Sequence, residues 1–213
     1  MEHNLAKTTI ELLLQSVKEQ YSNNLAYHNL NHIREMLTQV SCSSYTIGVY
    51  YPDIDWEVLV QSILWHDAKY LPGNKLNEYN AVCEYMNFYR ENAKVEVIEA
   101  IISTIPFYNK GFSTSEQKIL HDLDWFGFME YNKMIENEEN IIKEASEYLN
   151  LPVSLVKSKQ LDFYKKIIAQ KQPLYVTTVW GEYNEKALNN VKRRIVELEN
   201  KFSPKLFDFD PTI

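Results

Sequence analysis

Two of the chain's five histidines, His28 and His32, stand four residues apart in the stretch AYHNLNHIREML. On a helix that spacing puts both imidazoles on one face. Imidazole ligates transition metals, exchanges protons near neutrality and donates to anionic oxygens. A second cluster follows in SILWHDAKY, where His66 and Asp67 are adjacent and Lys69 lies two residues on. A third lies in ILHDLDWFGF, with His121, Asp122 and Asp124. Imidazole and carboxylate together make a mixed nitrogen and oxygen donor set for a divalent metal.

Taken singly, each cluster is weak. A His pair at this spacing is more often a surface or half-buried pair than a ligand set, and a His-Asp dipeptide says less still. Context gives the second cluster more weight. VLVQSILW, just before His66, is apolar on nearly all sides, which marks a helix at the buried centre of a helical domain. Polar groups at the end of such a helix need a compensating partner, because an unpaired buried carboxylate is costly. In the third cluster, Asp122 and Asp124 are about 200° apart on a helix, so both cannot face one site. The spacing leaves open which one does.

Helical periodicity dominates the elements that must position these groups. Leu5, Ile10, Leu13, Leu14 and Val17 mark a first helix ending near Tyr21, where SNN breaks it. A second is expected over 27–40, with Leu30, Ile33, Leu37 and Val40 as its apolar stripe. Pro52 stops what precedes it, and Asp53 or Asp55 can cap a helix over 56–67. LPGNKLN reads as a loop, with Asn77 as the cap of a helix over 78–90. Another helix runs over 95–105 and stops at Pro106. Ser113 or Ser115 starts the one that carries the third cluster.

KMIENEENIIKEASEYL reads as an exposed helix with charged faces. Pro152 precedes a helix over 155–170, a last one covers 184–201, and SPKLFDFDPTI is a tail. LYVTTVW has a β-like composition but lies between Pro173 and Gly181, which fits a connecting segment. No internal repeat or low-complexity linker divides the chain, so residues 1–213 read as one all-α domain.

Composition narrows the functional classes. A net charge of −7 argues against non-specific nucleic-acid binding. Hydrophobic residues at 45% and charged residues at 24% fit a globular chain, not a disordered one. The five glycines and seven prolines disfavour a turn-rich β protein. Cys42 and Cys83 are too few for a disulfide framework and form no CxxC pair, which fits a reducing compartment. The start, MEHNLAKTTI, has no basic segment followed by an apolar run, and no apolar run is long enough to span a bilayer. A cytoplasmic location is the expectation. No G-x-x-x-x-G-K-[ST] stretch is present, so phosphate binding by a P-loop is excluded.

In chain order, YHNLNHI, LWHDAKY with NEYNAV, IISTIPF and LHDLDWFGF resemble the blocks of the HD-domain metal-dependent phosphohydrolases. The likeness is strongest to predicted members with a YHNxxHI signature, whose blocks read approximately YHNLxHI, HDxxY…NExxS, IxxT and DADLxxLG. It covers roughly residues 27–127 and extends more faintly into the last helices. It implies an all-α, HD-domain helical bundle with a core of about 27–130 and a helical C-terminal extension. It implies a divalent metal ion (Mn, Zn, Fe, Co, Ni or Mg) held by His32, His66, Asp67 and Asp124, with Asp122 as the alternative last ligand.

The implied reaction is hydrolysis of a phosphate ester or anhydride through a metal-activated water, with Asp67 part of the catalytic centre. The implied substrate is a nucleotide or another small phosphorylated metabolite. Glu78, in the NE block, would orient or deprotonate the water, or else be an ordinary first-turn Glu. His28 would hydrogen-bond a phosphate or protonate a leaving oxygen, or else orient the first ligand. Lys69 would neutralise a phosphate oxygen, or else be solvated.

Two departures stand out. No His follows the IxxT block in STIPFYNK, which favours one metal over two, and the bulky Trp125 in DLDW reshapes the pocket. The alternative in another class is a regulatory protein of the same fold that binds metal and nucleotide without turnover, with ENEENIIKEASEY as a partner face or a solvated helix.

Overall fold

The computed structural model describes residues 2–107 and 111–202, and the tail SPKLFDFDPTI lies outside them. Among the described residues the chain is all-helical and forms no strand. In order the α-helices are α1 (Glu2–Val17), α2 (Leu30–Tyr50), α3 (Trp56–Trp65), α4 (Asn77–Tyr89), α5 (Val95–Ser103), α6 (Ser115–Asp124), α7 (Tyr131–Leu149), α8 (Val153–Gln170) and α9 (Asn184–Phe202). Short 3-10 turns cover Lys18–Gln20, Arg90–Asn92, Phe126–Met129 and Gly181–Tyr183. None of these helices is long and apolar enough to cross a membrane.

α3 is the central element and packs against α1, α2, α4, α5 and α6. Asp55 starts it: its carboxylate accepts from the N–H groups of Glu57 and Val58, two of the donors that a helix start leaves free. Leu59, Ile63 and Trp65 are completely buried along it. Each such side chain contributes roughly 1.5–3 kcal/mol of transfer free energy. α8 packs against both α7 and α9 in a second group, and the turn Phe126–Met129, which touches α7 and α9, joins it to α6. One cluster of buried apolar side chains runs through both groups, from Leu14 of α1 to Leu198 of α9.

Several elements differ from the sequence expectation, each for a local reason. α2 begins at Leu30 because Asn29 caps it, accepting from Asn31 N–H at 2.8 Å, while Asn29 N–H bonds Tyr27 O at 2.8 Å in a tight turn. His28 therefore precedes the helix and does not share a helical face with His32. The same helix continues past residue 40 through SCSSYTIGVY, and Ile47 extends the buried stripe. Asn77 is the first residue inside α4 and does not cap it. Its amide instead accepts from Leu71 N–H and donates to Leu71 O, both at 3.0 Å, closing the loop ahead of the helix. Thr114 caps α6, where Ser113 or Ser115 was expected.

α7 is the largest correction. Glu138 and Glu144 on it are buried, so it is not simply a solvated helix. Glu138 accepts from Arg194 Nε and Nη2 of α9, at 2.9 and 2.7 Å, and from the Tyr164 hydroxyl of α8 at 2.9 Å. LYVTTVW is irregular, as its flanking Pro and Gly suggest.

Candidate metal centre

Three helices deliver four donor side chains to one place. His32 lies in the first turn of α2, His66 is the residue that caps the C-terminus of α3, Asp67 follows it, and Asp124 ends α6. Both imidazoles are buried. His32 Nε2 lies 3.2 Å from Asp124 Oδ1 and 3.8 Å from Asp67 Oδ2. His66 Nε2 lies 3.2 Å from Asp67 Oδ2 and 3.8 Å from Asp124 Oδ1. Ligand bonds of about 2.0–2.2 Å place neighbouring donor atoms roughly 3.0–3.5 Å apart; the two 3.2 Å separations lie in that range and the two 3.8 Å separations are slightly wider.

His66 gives the sharper test of fit. Its Nδ1 lies 3.0 Å from Ile63 O, and a carbonyl can only accept, so Nδ1 carries the proton. Nε2 is then turned toward the carboxylates. It is buried and, despite the 3.2 Å approach to Asp67, makes no well-directed hydrogen bond. A neutral ring would aim a lone pair at two anions. The arrangement calls for a cation between them, either a proton on Nε2 or a metal ion. Burial alone would push the imidazole pKa down, but Asp67 and Asp124 lift it to about 9. Burial opposes ionisation of Asp67, yet the His66, His28 and His32 charges hold its carboxyl well below the usual range. Asp124 is lowered as well, against burial, by its contacts with His32 and His66.

The two His-Asp dipeptides have opposite surroundings. Asp122 is completely buried and accepts from Val176 N–H at 2.8 Å, Thr177 N–H at 2.9 Å and the Thr177 hydroxyl at 2.6 Å. His121 Nε2 bonds Leu174 O at 3.1 Å. This pair fastens the connecting segment to α6 and takes no part in the four-residue cluster. Asp124, not Asp122, faces His32 and His66.

His28 reaches the site from outside α2. Its Nδ1 lies 2.5 Å from Glu144 Oε1, and Glu144 Oε2 accepts from the N–H groups of Tyr27 and His28 at 2.9 and 3.1 Å. Its ring stacks on Tyr70 with centroids 3.5 Å apart. Burial lowers the His28 pKa, but Asp67, together with the Glu144 hydrogen bond, raises it overall. Glu144 was not among the residues that the sequence suggested. It lies in a stretch whose charge density reads as solvated.

Glu144→Ala should cost about 2–3 kcal/mol in denaturant unfolding, because it strands a half-buried imidazole and two part-buried N–H groups. The Glu144 pKa is lowered from 4.5, burial being outweighed by the His28 contact. A lowered carboxyl stabilises above its unfolded value and loses that contribution as pH falls through the folded one. The stability gap between the wild type and Glu144→Gln should therefore narrow as pH drops below about 4.5. A gap independent of pH would show that Glu144 is not ionised in the fold.

Glu78, in the first turn of α4, is half-buried. Burial raises its pKa, and the Asp67 and Asp124 charges add to the rise, so it senses the centre without belonging to the cluster. Lys69 is exposed and its backbone is left-handed, with φ 55°. Its ammonium donates to Glu19 O at 2.7 Å, and its N–H bonds Gln20 O at 2.8 Å. It borders a cavity with Asp67 and His28, but it also ties the end of the first helical segment to the centre.

No protein-family model and no curated protein sequence shows a significant match to this chain. Fold and site thus define an all-helical protein in which His32, His66 and Asp67 form a group that could hold a metal ion, with Asp124 beside both histidines.

Proposed function

We propose that this protein is a metal-dependent phosphohydrolase of the HD-domain type, acting on a small phosphorylated substrate such as a nucleotide. The observation that carries the reading is the convergence of His32, His66, Asp67 and Asp124, in that chain order, at separations of 3.2–3.8 Å. A divalent ion held there would polarise a phosphoryl oxygen and acidify a water.

The chain's own groups divide the proton work. Glu78 is half-buried with a raised pKa, which suits a carboxylate that takes a proton from an attacking water. His28 is fixed between Glu144 and Tyr70 and is biased toward its protonated form, which suits donation to a leaving oxygen. Of the three Lys and Arg side chains that line the cavities beside the centre, two are paired with carboxylates, and the third donates to a backbone carbonyl. Lys69 holds Glu19 O, Arg34 holds Glu11, and Lys133 holds Glu35. Compensation of phosphate charge then falls to the metal, to His28 and to Lys69, the one of the three whose charge no carboxylate offsets, which favours substrates of low charge over polyphosphates.

The pairing of Arg34 and Lys133 with carboxylates is what favours the second reading, a regulatory protein that binds metal and ligand without turnover. The separating experiment is elemental analysis of the purified protein, followed by loading with Mn, Zn, Fe, Co, Ni or Mg and a panel of phosphate esters. Near-stoichiometric metal and phosphate release are expected. Glu78→Gln should keep the metal and lose activity on the order of a hundredfold. Metal without hydrolysis of any ester selects the regulatory reading, and a protein that retains no metal refutes both.

A further inference from the structure

Asn137 on α7 occupies an unusual place. It lines three cavities, of about 160, 390 and 310 Å³. The first two are also lined by Asp124, and the last two by His32. The side chain is half-buried, and its amide makes no hydrogen bond to any described residue. A half-buried amide left in that state is satisfied by water or by a ligand.

Gly127 makes the position possible. A β-carbon built there would lie 2.4 Å from Asn137 Nδ2. The φ of Gly127 is not in the left-handed region, unlike those of Gly73 and Gly111, so backbone conformation does not demand glycine. A β-carbon there would instead push the Asn137 amide, the end of a flexible side chain, out of its place.

We propose that Asn137, seated on Gly127, is a substrate-positioning group that donates its amide N–H to an anionic oxygen of the ligand at the metal centre. This rests on the phosphohydrolase reading above. The chemistry favours a neutral donor at this point. A Lys or Arg beside Asp124 would pair with it and compete with the metal, whereas an amide holds an anionic oxygen without adding charge.

The test uses the full chain loaded with its metal, with inorganic phosphate as the probe in a calorimetric titration. Asn137→Ala and Gly127→Ala should each weaken phosphate binding roughly tenfold or more while metal content stays unchanged. Gly127 acts only through Asn137, so adding Gly127→Ala to Asn137→Ala should weaken binding no further. Asn137→Asp, which keeps the shape and loses the donor, should bind more weakly than Asn137→Ala. Wild-type affinity in Asn137→Ala would overturn the inference. So would a Gly127→Ala effect of the same size in both backgrounds. If the metal-loaded wild type itself binds no phosphate, the phosphohydrolase reading fails first, and the wild-type titration alone shows it.

Discussion

His66→Ala should lower metal affinity by more than a hundredfold, so that the purified variant carries almost none by elemental analysis. Loss of a group that merely supports a ligand costs about 10–100-fold in affinity, and loss of the ligand costs more. His66 Nδ1 is spent on Ile63 O, which leaves Nε2 no other role than to face Asp67 and Asp124. His121→Ala is the control. It removes an imidazole from the same dipeptide, but one that bonds Leu174 O and lies against Phe112 and Trp125. That variant should keep most of its metal and lose stability instead. Thermal melts of both establish that each is folded when metal is measured. Retention by His66→Ala together with loss by His121→Ala would refute the assignment of the centre.

The contrast between the dipeptides also shows how much the sequence discloses. VLVQSILW is apolar on nearly all sides, and the structure places that helix at the centre with His66 and Asp67 at its end. Local signals of this kind are strong because one helix carries both the burial and the polar residues. The spacing within DLD showed only that Asp122 and Asp124 point apart. Which one turns toward His32 depends on where the segment after α8 returns, a contact 54 residues away in the chain. No local rule reaches that far.

His28 was misplaced for a different reason. Its four-residue spacing from His32 suggests one helical face, but the Asn29 side chain captures the Asn31 N–H and starts the helix after it. His28 still arrives beside the centre, because Glu144 binds the backbone of Tyr27 and His28 as well as the imidazole. The position survived while the reason changed. Glu138 had a legible signal: it lies in the i, i+4, i+8 row between Met134 and Ile142, both buried. A charged residue inside an apolar row predicts a buried partner, though the partner, Arg194, is 56 residues on.

Glu138→Ala should destabilise the fold by about 3–5 kcal/mol, the usual cost of breaking a buried ion pair from one side. At this chain length that lowers the melting temperature by roughly 6–20 °C. The Glu138 side chain is fully covered and takes three hydrogen bonds, two from Arg194 and one from Tyr164, so its loss leaves a buried guanidinium with only Glu197 and a buried hydroxyl with none of its former acceptor. The double variant Glu138→Leu with Arg194→Met separates a stranded charge from lost packing. Removing both charges restores an apolar contact among α7, α8 and α9, so the double variant should be more stable than Glu138→Ala. Metal content in Glu138→Ala, measured well below its melting temperature, should match the wild type, because the pair braces the cavity wall and not the ligands. If Glu138→Ala melts within about 2 °C of the wild type, the pair is not what holds the three helices together.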